Sequence, residues 1–286
     1  MTRIPFAKMV GTGNDFVVVD ARRRALARLA NAWPAISRAA CDRRTGIGAD
    51  GLLVLEPSRV AQIRMRVFNP DGSEAEMCGN GARCVARYLG GSVTIQTKAG
   101  VLSARVRGAR VAMRMTDPTE LQLSRSLTVG RGRHRVGFIN TGVPHAVVPV
   151  TRLDAMDVER VGRGLRRHRA FSPRGANIDF IQPDARRKGA LRVRTYERGV
   201  EAETLACGTG VAASAVVQTL WQHHRERGNG VLRRHAVKVK TRSGDVLTVS
   251  FAVEGRGHSI RVTELVLEGG ASLVFRGEIN WPRRRH

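Results

Sequence analysis

The sequence predicts an α+β protein of two pseudo-symmetric domains, and three observations carry that expectation. Its 286 residues exceed the usual size of one domain and suffice for two, each with its own core. The pattern Glu-x-x-x-Cys-Gly-x-Gly occurs twice, from Glu74 to Gly81 and from Glu203 to Gly210, with the cysteines 129 residues apart. Each copy follows strand-like runs that end in a turn, and precedes a helix and then a meander of alternating residues. Such an order met twice reads as duplication of one unit. The boundaries expected are residues 1–118, completed by a C-terminal strand at 271–286, and residues 119–270.

In chain order, residues 8–20 read as a Gly-rich turn feeding a short β-branched strand, and the turn holds Asn14. The lone Gly-x-Gly there is not followed by a third glycine at dinucleotide-binding spacing. Helical spacing over 25–42 restarts at Pro34, where a missing N–H does little harm, and places Cys41 in the core. Strands are expected at 52–55 and 63–67, the latter ending at the turn Asn69-Pro70-Asp71-Gly72. After Cys78, the stripe Ala82, Val85, Ala86 and Leu89 predicts a helix that stops at Gly90-Gly91. A meander at 93–97, 101–107 and 110–115 follows.

The polar stretch from Pro118 to Arg135 is the expected crossing between halves. A second series of strands is predicted at 136–140, 146–150, 178–182 and 191–196, interrupted by a surface helix near 154–168. The helix after Cys207 is apolar nearly all round, as for a helix enclosed by sheet, with Gln222-His223-His224 as its polar end. Strands at 237–241, 246–251, 260–267 and 273–275 complete the chain as hairpins around Ser243-Gly244 and Gly269-Gly270.

Composition narrows the function classes. An apolar fraction of 42% with 10 prolines indicates a folded globular chain. No run approaches the roughly 20 apolar residues of a membrane helix, and the first residues lack an apolar signal core. A cytoplasmic protein without a membrane partner is expected. Four cysteines (Cys41, Cys78, Cys84, Cys207) are too few for a disulfide framework and suit a reducing compartment. No metal site is expected: Cys78 and Cys84, six apart, point about 240° from each other on a helix, and no Cys-x-x-Cys or paired-His spacing occurs. The net charge of +25 comes from five lysines and 44 arginines in short scattered clusters, among them 22–24, 43–44, 166–169, 186–188, 233–234 and 283–285. Aromatic residues, at 5%, do not interleave with these clusters, so no stacking platform for single strands is present. A solvated arginine-rich surface, with no dedicated nucleic-acid partner, is the reading.

A cysteine at a helix entrance feels the partial positive charge of unpaired N–H groups, which favours the thiolate. Gly79, Gly81, Gly208 and Gly210 are expected to let the backbone approach a ligand, whose carboxylate the first-turn N–H groups would hold. One such cysteine suggests a covalent nucleophile. Two copies suggest inversion of a stereocentre, which needs a base on one face and an acid on the other; a thiolate and a thiol supply both and exchange roles in reverse. By contrast, Cys41 and Cys84 are expected to be small core hydrophobes.

At these residues the sequence closely resembles diaminopimelate epimerase. The resemblance rests on Gly13-Asn14-Asp15-Phe16, on Asp71-Gly72-Ser73-Glu74 leading to Met77-Cys78-Gly79-Asn80-Gly81-Ala82-Arg83-Cys84, on Pro144-His145 and Asn177, and on Glu197-Arg198-Gly199 leading to Glu203-Thr204-Leu205-Ala206-Cys207-Gly208-Thr209-Gly210. These stretches span nearly the whole chain. What it implies is a cofactor-independent enzyme interconverting LL- and meso-diaminopimelate, for lysine and peptidoglycan synthesis. The implied fold is two α+β domains, each a mostly antiparallel sheet wrapped around a central helix, with the active site in the interdomain cleft and a homodimer as the assembly. It makes Cys78 and Cys207 the catalytic thiols, with Gly79, Asn80, Gly208 and Thr209 holding the carboxylate at the reacting centre. Asn14, Asn69, Asn177, Glu197 and Arg198 would bind the substrate, and His145 and Glu197 would orient it and modulate the thiols.

Two positions depart from the family pattern. Val143 stands where many members have Asn before Pro-His, and Gly51 where many have Gln; both remove a possible substrate hydrogen bond. The nearest rival is a proline or hydroxyproline racemase, a family that typically carries His where this chain has Asn80. From another class, the rival is a non-catalytic basic binding module.

Overall fold

The computed structural model describes residues 1–130, 132–223, 233–255 and 259–282. The side chain of His223, the residue His224 and the arginine cluster 283–285 lie outside the described residues. The chain forms two compact units, Met1–Met113 with Gly269–His286, and Arg114–Glu268.

In the first unit, Thr2–Gly11 and Asn14–Asp20 form a hairpin in register Gly11↔Asn14. Its two-residue turn has positive φ at both Thr12 (51°) and Gly13 (79°), the conformation whose twist matches that of paired strands. Asn14–Asp20 then runs parallel to Gly51–Glu56, which pairs antiparallel with Ile63–Phe68. A parallel pair requires a crossover, and the helix Trp33–Cys41, with Pro34 in its first turn, lies in that connection. Ile63–Phe68 takes the short strand Glu74–Ala75 antiparallel and Ser92–Thr97 parallel, and the latter forms a hairpin with Gly100–Arg107. The helix Gly79–Leu89 connects the second parallel pair.

The second unit repeats this order strand by strand. Gly132–Asn140 and Pro144–Pro149 form a hairpin, and the latter runs parallel to Asn177–Pro183 with the helix Val158–Arg166 between them in sequence. Asn177–Pro183 pairs antiparallel with Leu191–Glu197, which takes Ala202–Thr204 antiparallel and Arg233–Lys240 parallel. The helix Gly208–His223 makes that last connection, and Arg233–Lys240 turns back into Val246–Glu254.

Each sheet buries both faces, one against each helix. Leu52 and Val54 pack with Trp33 and Ile36, whereas Leu53 and Leu55 pack with Ala82, Val85 and Ala86. Period-2 alternation in a run that is apolar throughout allows this. In the second unit Phe180 and Tyr196 join Val161 and Leu165 on one side, and Ile181 and Val193 join Val211, Val216 and Leu220 on the other. Burial all round the helix Gly208–His223 explains its uniformly apolar sequence.

Three expectations are corrected. The stretch from Pro118 to Arg135 is not an irregular crossing: Thr119–Val129 is an 11-residue strand paired with Gly132–Asn140. Its apolar residues Leu121, Leu123, Leu127 and Val129 fall on alternate positions, and the exposed face between them is polar enough to read as a loop. A strand over Thr2–Gly11, which the sequence reading left out, precedes the Gly-rich turn; Ser272–Trp281, within the C-terminal strand expected to complete this unit, pairs with it from Thr2↔Trp281 to Val10↔Ser272. The arginine surface is not wholly solvated either, since Arg83 is fully buried and Arg66 and Arg194 are largely so. No helix among the described residues is long and apolar enough to cross a membrane.

Candidate active site

Both helix-entry cysteines occupy the same local geometry. The carbonyl of Cys78 accepts from the N–H of Ala82 at 2.8 Å, and that of Cys207 from Val211 at 2.9 Å, so each cysteine caps its helix. The Gly81 N–H also donates to Cys78 Sγ at 3.4 Å.

The glutamate four residues upstream has a mechanical explanation in each copy. Arg66 donates from Nε and Nη2 to the two oxygens of Glu74 at 2.9 and 3.0 Å. Arg194 does the same to Glu203, both at 2.7 Å. These bidentate forks join the short strand before each cysteine to the strand beside it, two residues before its Phe68 or Tyr196. The Arg66 pair, followed by burial acting the other way and by Lys98, holds the Glu74 carboxyl at about 2, against 4.5 ordinarily. A lowered folded-state value means stability present above 4.5 and lost as pH falls toward 2. Glu74→Gln is therefore expected to destabilise at neutral pH, with its deficit against wild type shrinking on acidification, as read by urea midpoints across that range.

In the first unit the predicted binding residues form one directed chain. Asp50, an acceptor only, takes Nδ2 of Asn14 at 2.9 Å, which turns Asn14 Oδ1 toward Nδ2 of Asn80 at 2.5 Å. Asn80 Oδ1 in turn accepts from Arg83 at 2.5 Å, and Arg83 also donates to Thr12 at 2.7 Å. Asp15 anchors the other end, paired with buried Lys8 at 2.7 Å and with Arg43 at 2.8 Å. Asn14, Gly79 and Asn80 are thus brought together beside Cys78. Asn69 stands apart in its exposed turn, donating to Ser73 Oγ at 2.9 Å.

In the second unit the site is denser. His145 is fully buried, with Nδ1 2.7 Å from Asp179 Oδ2 and Nε2 2.9 Å from Thr209 Oγ1. Thr209 Oγ1 lies 3.4 Å from Cys207 Sγ. Asn177 Oδ1 accepts from the backbone N–H of Arg198 at 2.7 Å, which leaves its Nδ2 3.4 Å from His145 Nε2. Thr195 donates to Asp179 Oδ1 at 2.7 Å. Asp179 and Thr195, and Asp50 in the first unit, escaped the sequence reading. The signal for Asp179 was present: a carboxylate inside Asn-Ile-Asp-Phe-Ile, a strand buried on both faces, must be paired.

Two expectations about these residues change. Burial pushes the Cys207 thiol well above its ordinary range, reinforced by the charges of Glu197 and Asp179, and this outweighs the Thr209 hydroxyl and the Gly210 N–H that favour the thiolate. At Cys207, burial therefore acts against the thiolate that the helix entrance favours. Burial also raises the Glu197 carboxyl, with Asp179 acting in the same sense. Second, Gly81 and Gly210 do not open the backbone to a ligand. A Cβ on Gly81 would sit 3.0 Å from Leu53, and one on Gly210 would overlap Asp179 Oδ1 and lie 3.2 Å from His145. Only Gly79 among these three has open space, with no atom within 4 Å of where its Cβ would stand.

Of the two departures, Gly51 begins a strand in register with Phe16, and a Cβ there would lie 3.0 Å from the Phe68 carbonyl. Val143 extends the turn between Asn140 and Pro144, its carbonyl accepting from Thr141 at 3.2 Å. Cys41 and Cys84 are buried in the core, the latter with its thiol pushed up to about 12 by burial. No group of three or more His, Cys, Asp or Glu side chains among the described residues is arranged to hold a metal ion.

The sequence model of diaminopimelate epimerase matches residues 6–121 and 137–272. The chain belongs to the diaminopimelate epimerase family. Relatives named diaminopimelate epimerase include one from Aquifex aeolicus, 40% identical over 96% of this chain and 97% of its own. Another, from Methanothrix thermoacetophila, is 40% identical over 98% of this chain and 97% of its own. Among solved structures, a phenazine biosynthesis protein of the PhzF family from Bacillus anthracis superposes with a TM-score of 0.67 at 21% identity, covering 98% of this chain and 100% of that one. A hydroxyproline epimerase from Agrobacterium vitis gives 0.65 at 18% identity, covering 97% and 92%. At such identity these structures share the fold of the diaminopimelate epimerase family, and that alone.

Proposed function

We propose that this member of the diaminopimelate epimerase family interconverts LL- and meso-diaminopimelate by two-base proton transfer between Cys78 and Cys207, without a cofactor. The observation that carries the reading is the duplicated thiol, capping a sheet-enclosed helix in each unit with the same hydrogen-bonded geometry. In this reading one thiolate takes the α-proton while the other thiol returns a proton to the opposite face, and reversal exchanges their roles. Charge that builds on the carboxylate beside the carbanion meets the first-turn N–H groups at Gly79 and Asn80 and at Gly208 and Thr209. Asn14, Asn69, Asn177, Glu197 and Arg198 select the distal amino-acid head. His145 and Glu197 adjust the thiols from the second unit, where His145 already contacts Thr209.

A cytoplasmic location is proposed because four cysteines are too few for a disulfide framework in a chain of this length, and a homodimer is the assembly we propose on family grounds. The test is incubation with LL-diaminopimelate in deuterated water without pyridoxal phosphate. Meso product carrying one α-deuterium is expected, with label entering product before recovered substrate, because the acid on the second face exchanges with solvent. Absence of both epimerisation and α-deuteration would overturn the proposal.

A further inference from the structure

We infer that Asp179 is a positioning residue at the head of a proton relay, Asp179–His145–Thr209–Cys207, that lets the buried Cys207 act as a base; the inference rests on the two-thiol reading above. The direction of each bond in the relay follows, one from the next, from the Asp179 carboxylate, which only accepts. Asp179 is fully buried and accepts the Thr195 hydroxyl at Oδ1, so its Oδ2, 2.7 Å from His145 Nδ1, requires a proton on that nitrogen. The neutral ring then has its lone pair on Nε2. Both groups facing Nε2 suit that tautomer: Thr209 carries a hydroxyl at 2.9 Å, and the Asn177 amide is turned by the Arg198 N–H so that its Nδ2 points there at 3.4 Å. With its proton engaged by Nε2, Thr209 offers only lone pairs to Cys207, and the thiol donates to it across 3.4 Å. Gly210 belongs to the same construction, because any side chain there would occupy the position of the Asp179 carboxylate.

The relay answers the problem set by burial of Cys207. As the Cys207 S–H bond breaks, its proton passes to Thr209 Oγ1. The original Thr209 proton passes to His145 Nε2, leaving a thiolate and an imidazolium whose Nδ1–H faces Asp179. No redox change occurs and no proton enters or leaves the protein. The thiolate then accepts the substrate α-proton while the Cys78 thiol gives its own to the opposite face and is left a thiolate; in the reverse direction Cys78 takes the α-proton, Cys207 gives its proton to the substrate, and the relay returns the imidazolium proton to the Cys207 thiolate. A buried carboxylate that fixes an imidazole tautomer and balances its positive form is a known catalytic arrangement. Here a hydroxyl is interposed between ring and sulfur.

Two measurements test this. In protein with ring-labelled histidine, two-bond nitrogen–proton correlations should show His145 as the Nδ1–H tautomer, the signals being assigned by their loss in His145→Gln. An Nε2–H tautomer overturns the relay, and this arm stands whether or not the protein turns over diaminopimelate. The second measurement is fluoride release from diaminopimelate epimers bearing fluorine on the carbon next to the reacting α-carbon, which needs a base on one face only. Cys207→Ala identifies the epimer that Cys207 deprotonates. Asp179→Asn should slow elimination from that epimer at least about tenfold through kcat and leave the other within about twofold. Equal losses on both epimers, or none, overturn the proposal. If Asp179→Asn fails to fold, Thr209→Val and Thr209→Ser read the same relay. Serine should keep the Cys207 half-reaction and valine lose it about tenfold or more, and equal rates for the two overturn the relay.

Discussion

Cys78→Ala and Cys207→Ala are each expected to lower turnover by at least about a thousandfold while leaving the protein folded. Inversion needs both a proton acceptor and a proton donor, so removing either thiol stops the complete reaction even though the other remains. The fold is expected to tolerate both changes: the bonds from Ala82 and Val211 go to the cysteine carbonyls, which alanine retains, and at Cys78 the capping loss is the long 3.4 Å contact from the Gly81 N–H to Sγ. Cys84→Ala is the control. Cys84 is fully buried, packed with Val85 and Ala86, and its thiol is pushed up to about 12. Its loss should leave kcat unchanged and lower stability by about 1 kcal/mol, the scale of a small buried group. Steady-state kinetics beside thermal melts of the three variants separate chemistry from packing, and a Cys78→Ala or Cys207→Ala enzyme of full activity would exclude the two-base scheme.

Gly210→Ala is expected to damage both folding and turnover, whereas Gly79→Ala should fold as wild type. The glycines look equivalent in the repeated motif, but a methyl group on Gly210 runs into a carboxylate oxygen of Asp179 and that on Gly79 meets nothing within 4 Å. Relief at Gly210 requires displacement of Asp179, which would pull away from His145 and Thr195 in a fully buried site. Overpacking of this kind costs about 1–3 kcal/mol. Melting curves should place Gly210→Ala several degrees below Gly79→Ala. Any effect at Gly79 should fall on substrate binding, since no atom of the protein stands within 4 Å of its Cβ position. Equal melting of the two variants would refute this account of the repeat.

Much of the plan was legible because it is written in local patterns. The Cys-Gly-x-Gly entrances, the apolar run at 211–221 and the Asn69-Pro70-Asp71-Gly72 turn each depend on neighbours within a few residues. What escaped depends on distant partners. Thr2–Gly11 is a strand because Ser272–Trp281 lies beside it, at the far end of the chain. Thr119–Val129 is a strand because Gly132–Asn140 covers one edge and its apolar alternate residues have a core to enter. At the site, the sequence pointed to the thiols and the asparagines, yet the shift of Cys207 comes first from burial and then from Glu197 and Asp179, which only folding supplies. The repeated glutamate was visible as a pattern, but its partners Arg66 and Arg194 lie on other strands at unremarked positions.

Pairing of the first strand with the last, from Thr2↔Trp281 onward, makes one unit discontinuous in sequence and leaves the other unbroken. The unit Arg114–Glu268 comes from one continuous stretch of chain. The unit formed by Met1–Met113 and Gly269–His286 completes its sheet only by closing a loop that spans the whole of the other unit, and loop closure costs more entropy as the loop lengthens. Cys207 is thus housed by contiguous chain, whereas the sheet that carries Cys78 is completed by two segments far apart in sequence.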